Sequence, residues 1–256
     1  MSLTNQLKII KQGASTILYD ANLIAEPALQ LFDSDYHTNS EDQQNNSTLQ
    51  ARSMSSNAGV GRARVVYFEH ENIPMVLKHY YRGGLMASIV KDKYIGIDIE
   101  KTRAFKEFRL LIKMQHLGLP VPGVIAARVE KGPLYFRADL ITKEIENVET
   151  LAEILSAQKM APELWKNVGV CIKSFHRHDV YHADLNARNI LLSEAGEVYL
   201  IDFDNSHFRS ASESWKMANL ARLKRSLLKF RKNAANFNFD EKSWSMLLGG
   251  YKGESF

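Results

Sequence analysis

The pattern of polar and apolar positions changes several times along the chain, and each pattern predicts a different kind of element. Residues 60–68 and 73–80 are rich in β-branched and aromatic side chains, which predicts two strands joined as a hairpin. Apolar positions spaced by three and four predict helices over 99–117 and 162–178. A further strand is predicted over 132–142. Strands therefore outnumber helices in the first part of the chain.

The part of the chain after residue 142 is predicted to be mainly helical. A helix is predicted from Thr150 to Leu155, and apolar residues recur at helical spacing from Trp215 to Lys232. Between them, the apolar stretches 190–192 and 198–201 flank a turn at Glu194–Glu197. This order predicts a short β-hairpin whose two ends meet at one place.

Composition is that of a folded chain with a proper core. It has 256 residues, of which 45% are hydrophobic and 24% charged, enough for one globular unit or two small lobes. The single cysteine, Cys171, lies on the apolar face of a predicted helix, so it is expected in the core and favours a reducing compartment. No apolar run approaches the roughly 20 residues that span a bilayer, and the start lacks a signal-peptide pattern. These features predict a cytoplasmic protein.

The charge suggests anionic partners without naming one. The net charge is +4 and the sequence pI is about 9.0. Nucleic acid is not expected as a partner, because the charge excess is small and no recognisable binding motif occurs.

The tract from Tyr181 to Asn189, followed by Ile201-Asp202-Phe203-Asp204, carries the strongest chemical signal. Asp184 is predicted to accept the proton of an acceptor hydroxyl, while Asn189 and Asp202 offer oxygen ligands for Mg²⁺. Phosphoryl transfer needs this kind of positioning and charge neutralisation more than covalent chemistry. The predicted hairpin would bring the three side chains together.

A plainer interpretation exists for each of these residues. Asp and Asn are frequent in turns, so turn chemistry alone accounts for either motif by itself. Two motifs in the right order and at the right separation favour catalysis instead. His182 is predicted to be structural, packing and hydrogen-bonding beneath the metal-binding turn.

The first predicted hairpin carries candidate nucleotide-binding residues. Gly59 and Gly61 open its first strand, where the lack of a Cβ would let backbone N–H groups approach phosphate, although a plain turn has the same composition. Lys78 ends an apolar stretch and is expected to reach the nucleotide phosphates. Glu107, on the 99–117 helix, is the expected partner that holds Lys78; pairing with Arg103 on the helix surface is the alternative.

Taken together, these residues resemble the protein-kinase-like superfamily, and more narrowly the bacterial kinases of lipopolysaccharide inner core sugars, which include kinases of 3-deoxy-D-manno-octulosonic acid (Kdo). The matching motifs are Leu77-Lys78-His79-Tyr80-Tyr81-Arg82-Gly83-Gly84-Leu85, Arg103-Ala104-Phe105-x-Glu107-Phe108, Leu119-Pro120-Val121-Pro122, His182-x-Asp184-Leu185-Asn186-Ala187-x-Asn189-Ile190-Leu191-Leu192 and Asp202-Phe203-Asp204.

The resemblance implies a two-lobed α+β fold of the protein-kinase-like type, with an antiparallel sheet in an N-lobe over 1–142 and a mainly helical C-lobe over 143–256. It implies ATP and Mg²⁺ as cofactors. The implied reaction is phosphorylation of Kdo, at the 4-hydroxyl, on the Kdo-bearing lipid A precursor. The implied location is peripheral, at the cytoplasmic face of the inner membrane.

Departures from protein kinases favour a small-molecule or glycolipid acceptor. Ala183 replaces the arginine that senses a phosphorylated activation loop, and Asn205 follows Asp-Phe-Asp where protein kinases have the glycine of Asp-Phe-Gly. Arg82, Gly83 and Gly84 are the candidate acceptor-binding residues.

Two further segments allow two interpretations each. The stretch Trp215 to Lys232 has no acidic residue, which is typical of an interfacial helix on anionic lipid but also of a C-terminal helix that packs its apolar stripe inward. The polar run Asp33 to Asn57 is expected to be a mobile loop or lid, or simply disordered.

Two rival functions remain open. One is a small-molecule phosphotransferase of the aminoglycoside or choline kinase type, which shares the catalytic loop. The other is a nucleotide-binding pseudokinase that acts as a scaffold, against which the complete set of catalytic and metal positions speaks.

Overall fold

A computed structural model describes residues 6–39, 63–80, 98–132, 136–234 and 236–253. The chain forms two compact units. The first comprises Met1–Ile112 and Gly123–Glu144, and the second comprises Lys113–Pro122 and Ile145–Phe256. The lobe boundary at residue 142 stays a prediction.

The first unit contains a six-stranded sheet in which every neighbouring pair is antiparallel. Its spatial order is β1-β2-β5-β6-β4-β3. The strands are β1 (Leu7–Gln12), β2 (Ser15–Asp20), β3 (Ala63–His70), β4 (Ile73–Tyr80), β5 (Val124–Lys131) and β6 (Phe136–Lys143). The predicted antiparallel sheet is therefore confirmed, whereas β1, β2 and β5 were not predicted.

The β3–β4 hairpin has a connection of two residues. Only Glu71 and Asn72 separate the two strands, with φ values of 51° and 59°. Two residues with positive φ are what a type I′ turn requires, and its twist matches that of the flanking strands. The register is thereby fixed, and it places Lys78 opposite Val65.

One face of the sheet buries the core of the first unit, and part of the polar run covers that face. Residues Ser34–Asn39 form the short helix α1, where His37 is 3% exposed and stacks on Phe68 with ring centroids 3.8 Å apart. The expectation of disorder is therefore wrong for Ser34 to Asn39, because one buried histidine anchors an otherwise polar stretch. The mobility of this segment and its role as a lid stay predictions. Residues 40–57 lie outside the described residues.

Helix α2 (Arg103–His116) carries Glu107. It begins later than the predicted residue 99, because Ile99–Lys101 form a 3₁₀ turn capped by the side chain of Asp98. Its apolar stripe is buried as predicted, with Ala104 and Phe108 fully inaccessible.

The second unit is mainly helical, as predicted. Its helices are α3 (Leu151–Ala157), α4 (Pro162–Arg177), α5 (Glu213–Asn233) and α6 (Glu241–Lys252). Its strands are β7 (Val148–Thr150), β8 (Val180–Tyr181), β9 (Ile190–Ser193), β10 (Val198–Leu200) and β11 (His207–Phe208). The predicted β9–β10 hairpin is present and antiparallel, and β7 extends it to three strands.

Helices α4 and α6 cross at two glycines. A Cβ on Gly169 would overlap with the carbonyl oxygen of Leu247, and one on Gly250 would overlap with that of Lys166. The two backbones can approach this closely only because neither residue has a side chain. The crossing braces α4, whose buried face includes Trp165 and Phe175.

Helix α5 packs its apolar stripe inside the second unit. Its buried residues include Trp215, Leu220, Leu223 and Leu227, which are 0–4% exposed. This apolar face is therefore not available to lie on a lipid surface. Of the two sequence interpretations, inward packing describes the apolar stripe, and the basic side chains occupy the exposed side.

Candidate active site

In the first unit, Lys78 and Glu107 form a buried ion pair. The Nζ atom of Lys78 donates to both carboxylate oxygens of Glu107, at 3.1 and 3.0 Å, and the side chains are 14% and 5% exposed. Side chains alternate along β4, so Lys78 points away from the core face on which its neighbour Leu77 lies. The expected contact between Lys78 and Glu107 is present; its role in binding nucleotide phosphates stays a prediction.

Tyr80 is a member of this group that sequence reasoning missed. Its hydroxyl donates to Glu107 Oε2 at 2.5 Å, and its ring centroid lies 4.8 Å from Lys78 Nζ. Because it is two residues beyond Lys78 on the same strand, it shares that face of the sheet. The spacing was available in the sequence, but a tyrosine on a strand usually signals packing alone.

In the second unit, His182 joins the predicted catalytic loop, residues 181–189, to the strand that precedes Asp202. Its Nδ1 accepts from the backbone N–H of Asp184 at 3.1 Å, and its Nε2 donates to the carbonyl of Ile201 at 3.0 Å. A carbonyl only accepts and a backbone N–H only donates, so the ring is neutral with its proton on Nε2. The ring is 2% exposed and has the structural position that the sequence predicted.

The three predicted catalytic and metal positions lie in one small region of the second unit. Asn189 Nδ2 donates to the carbonyl of Asp184 at 2.9 Å, and the backbone N–H of Ile201 donates to the carbonyl of Asn189 at 3.1 Å. The second bond places Asp202, the next residue, beside the loop. The structure thus brings Asp184, Asn189 and Asp202 together.

Asp202 has the left-handed backbone conformation, with φ of 61°. Such values are uncommon for residues other than glycine, although Asp and Asn tolerate them, and they cluster at functional sites. The turn is anchored by Phe203, which is 1% exposed and stacks on Phe175 at 5.8 Å. Phe203 therefore serves as the apolar anchor of this turn.

The oxygen atoms in this region suit a magnesium ion. The amide nitrogen of Asn189 is engaged with the Asp184 carbonyl, so its Oδ1 is the atom left for a cation, and Asp202 supplies a carboxylate. In the described part of the chain, no group of three or more His, Cys, Asp or Glu side chains could hold a metal. Mg²⁺ needs no such group, because one or two carboxylates together with substrate phosphates and water complete its shell.

Helix α5 supports the catalytic loop through a polar stripe that the sequence did not reveal. Asn219 is 1% exposed and makes two bonds with the backbone of His182, accepting from its N–H at 3.3 Å and donating to its carbonyl at 3.0 Å. Ser226 accepts from the N–H of Ala187 at 3.3 Å, and Arg222 donates to Asp184 Oδ1 at 3.3 Å. The spacing 219, 222 and 226 places the three on one helix face.

A second buried histidine completes this layer. His176 Nε2 lies 3.4 Å from Asn219 Oδ1, and its Nδ1 lies 2.9 Å from the hydroxyl of Tyr251. Burial lowers the pKa of His176 to about 4, so the ring is neutral at pH 7. Burial likewise raises the pKa of Cys171 to about 12, which makes its thiol unreactive.

Five of the predicted site residues lie outside the described residues. They are Gly59, Gly61, Arg82, Gly83 and Gly84. Their roles at the nucleotide and at the acceptor stay predictions.

Comparison with known proteins identifies the family. Residues 45–251 match the sequence model described as "Lipopolysaccharide kinase (Kdo/WaaP) family". The chain belongs to this family. It is therefore a kinase, a phosphotransferase, and the resemblance inferred from its motifs is confirmed.

Individual relatives support the same conclusion. The "3-deoxy-D-manno-octulosonic acid kinase" of Vibrio vulnificus (strain CMCP6) is 35% identical over 242 residues, which cover 94% of this chain and 97% of the relative. The protein of the same name from Actinobacillus succinogenes is 42% identical over 180 residues, covering 69% and 74%. That from Haemophilus influenzae (strain PittEE) is 40% identical over 199 residues, covering 75% and 82%.

A solved structure supports the fold. The structure described as "WaaP in complex with acyl carrier protein" is similar with a TM-score of 0.52 and 16% identity, covering 77% of both chains. The predicted α+β fold of the protein-kinase-like type is thereby confirmed. Among the described residues, no helix has the length and apolar character needed to cross a membrane.

Proposed function

We propose that this kinase transfers the γ-phosphoryl group of ATP to Kdo, at the 4-hydroxyl, on the Kdo-bearing lipid A precursor of lipopolysaccharide biosynthesis. The relative from Vibrio vulnificus, which is matched along 97% of its length, is named a kinase of this sugar acid. The observation that carries the proposal is the arrangement of Asp184, Asn189 and Asp202 in the second unit, tied together by the His182 and Asn189 hydrogen bonds.

Asp184 is the catalytic residue of this proposal. Its carboxylate accepts the proton as the acceptor oxygen forms a bond to the γ-phosphorus and the bond from that phosphorus to the bridging oxygen of ADP breaks. The side chain is 59% exposed, so an acceptor hydroxyl can approach it. Its backbone N–H is fixed by His182, which limits the directions in which the carboxylate can point.

Asn189 and Asp202 would hold Mg²⁺, which supplies neutralisation of the negative charge on the nucleotide phosphates. Lys78, held by Glu107, is assigned to binding nucleotide phosphates, and Gly59 and Gly61 to backbone contacts with phosphate. Arg82, Gly83 and Gly84 are assigned to the acceptor. Each of these groups acts through its position and its charge, which are the main contributions a protein makes to phosphoryl transfer.

The proposed location is peripheral, at the cytoplasmic face of the inner membrane. The acceptor is a lipid, and α5, which has no acid between Ser214 and Asn233, exposes the basic side chains of Arg222, Arg225, Lys229, Arg231 and Lys232. Juxtamembrane basic residues contribute about 1 kcal/mol each near an anionic surface. Because the apolar stripe of α5 is buried, attraction to lipid would come from charge alone.

A panel of acceptors tests this function. The purified protein is incubated with ATP, with and without Mg²⁺, and with the Kdo-bearing lipid A precursor, an aminoglycoside, choline or no acceptor, while ADP release is measured. We expect ADP release that depends on Mg²⁺ and on the Kdo acceptor. In the NMR spectrum of the product, the phosphorus should couple to the proton at carbon 4 of Kdo. Release with only the aminoglycoside or choline identifies a small-molecule phosphotransferase, and nucleotide binding without release identifies a scaffold.

A further inference from the structure

Among the described residues of the second unit, the side chain of Asp184 bonds to one amide and one cation. Asn186 Nδ2 donates to Oδ2 at 3.1 Å, and Arg222 donates to Oδ1 at 3.3 Å. Arg222 is 44% exposed and Asp184 is 59% exposed. The guanidinium group therefore lies at the catalytic carboxylate and remains open to solvent.

A permanent pairing of these two residues would oppose catalysis. Each carboxylate oxygen of Asp184 already accepts a hydrogen bond, so an acceptor hydroxyl that approaches Oδ1 competes with Arg222 for that atom. A general base that must accept a proton is better served if this cation turns to another anion when the acceptor binds. A single contact at 3.3 Å between exposed groups is weak enough to allow such an exchange.

The helix places further positive charge next to Arg222. Arg225 and Lys229, three and seven residues further along α5, are both exposed and lie near Arg222 on the helix surface, because seven residues make almost two turns. Asn219 and Ser226, on the same face as Arg222 but on its other flank, hold the catalytic loop. A row of cations thus begins at the catalytic base.

We propose that Arg222 is an acceptor-binding residue that pairs with the carboxylate of the sugar acid whose hydroxyl reacts at Asp184. This inference rests on the proposed function and adds the group that selects an acidic sugar. Arginine suits the task, since its planar fork binds a carboxylate through two parallel hydrogen bonds. Because Arg222 touches the base itself, its anion must lie within about one sugar ring of the reacting hydroxyl, which favours the sugar carboxylate over a phosphate of the lipid.

The test crosses three variants with three acceptors. Arg222→Gln removes the charge, Arg222→Lys keeps the charge without the fork, and Lys224→Gln is the matched control. Lys224 lies on the same helix and pairs with Glu241, away from Asp184. The acceptors are the Kdo-bearing lipid A precursor, the same lipid with its sugar carboxylate converted to an amide, and the same lipid without its lipid A phosphates. The KM for the acceptor and kcat are measured for each combination.

The proposal predicts that the wild-type protein loses about 10- to 100-fold in kcat/KM on the amide, the range for a hydrogen-bonded charged group, mostly through KM. On the natural acceptor, Arg222→Gln should already show the same loss in kcat/KM. On the acceptor whose carboxylate is converted to an amide, this variant should lose little more. Arg222→Lys should fall between the two, and Lys224→Gln should behave like wild type. Removing the lipid phosphates should affect wild type and Arg222→Gln equally.

Three outcomes would overturn the inference. If Arg222→Gln lowers kcat by the same factor on acid and amide, Arg222 only positions Asp184. If its loss disappears instead on the lipid without phosphates, the anion is a lipid phosphate. If Arg222→Gln has the same kcat and KM as Lys224→Gln on every acceptor, Arg222 does not bind the acceptor. Wild-type protein that transfers phosphate to none of the three acceptors would refute the proposed function, and the inference with it.

Discussion

Two ion pairs, one in each unit, differ in almost every physical respect. Lys78 and Glu107 are 14% and 5% exposed, share two hydrogen bonds of about 3 Å and have Tyr80 as a third member. Arg222 and Asp184 are 44% and 59% exposed and share one contact at 3.3 Å. This geometry fits a fixed position for the first pair and an exchange of partners for the second.

The difference matches the tasks proposed for the two pairs. A lysine that holds phosphates works best in one position, which a buried carboxylate enforces at a cost in desolvation. A base that must meet an incoming hydroxyl has to remain exposed and to release its partner. The ion pair that must hold one position is therefore buried, and the ion pair that must exchange partners is exposed.

The largest effect is expected from removing the base. Asp184→Asn should lower turnover about 100- to 10,000-fold, the range for a general base, while ATP affinity stays nearly normal. Steady-state kinetics and nucleotide titration measure the two quantities. Glu194→Gln, which removes a charge from the exposed hairpin turn, is the control. Normal turnover in Asp184→Asn would contradict the assignment of Asp184 as the general base.

The next largest effect is expected from breaking the buried pair. Glu107→Gln leaves the Lys78 charge uncompensated, so the free energy of unfolding should fall by about 3 kcal/mol and ATP should bind more weakly. Chemical denaturation and nucleotide titration measure these changes. Glu100→Gln breaks the exposed pair with Arg109 and should cost less than about 1 kcal/mol. Equal costs in the two variants would remove the distinction between fixed and exchangeable pairs.

The buried layer under the catalytic loop should make stability depend on pH. The folded-state pKa of His176, about 4, lies below its ordinary value of 6.5, so its contribution is complete above pH 6.5 and is lost as pH falls toward 4. Between pH 7.5 and 5 this amounts to about 2 kcal/mol. Denaturation curves at the two pH values measure the loss, and His176→Gln should reduce the slope. An unchanged slope in that variant would assign the pH dependence to other groups.

The smallest effect on stability is expected at the exposed pair. Arg222→Gln should change the free energy of unfolding by less than about 0.5 kcal/mol, because exposed ion pairs contribute little. The same denaturation assay gives the value, with Lys224→Gln beside it. A loss above 2 kcal/mol would show that Arg222 supports the fold, and it could then not be exchanged between partners.

The sequence predicted the structure best where residues close together in the chain determine the local geometry. The β9–β10 hairpin and the position of His182 follow from residues close together in the chain. The contact between Lys78 and Glu107 joins two distant segments, and it was predicted from chemistry, because a lysine that binds phosphates needs a carboxylate to hold it in place.

The residues that escaped prediction depend on packing between distant segments. Asn219 and Arg222 look like ordinary members of a basic helix, and only the placement of α5 against the catalytic loop reveals their contacts. Gly169 and Gly250 read as helix-weakening residues until two helices are seen to cross there. The burial of His37 was not predicted, because a single buried side chain in a polar segment produces no periodic pattern.

The most direct test of the central claim is mass spectrometry of the Kdo-bearing lipid A precursor after incubation with the protein, ATP and Mg²⁺. The Asp184→Asn variant and a reaction without ATP run beside it. The account predicts a gain of one phosphate on the sugar with the wild-type protein and none in the other two reactions. No gain with wild-type protein that still binds ATP, or an equal gain with the variant, would contradict it.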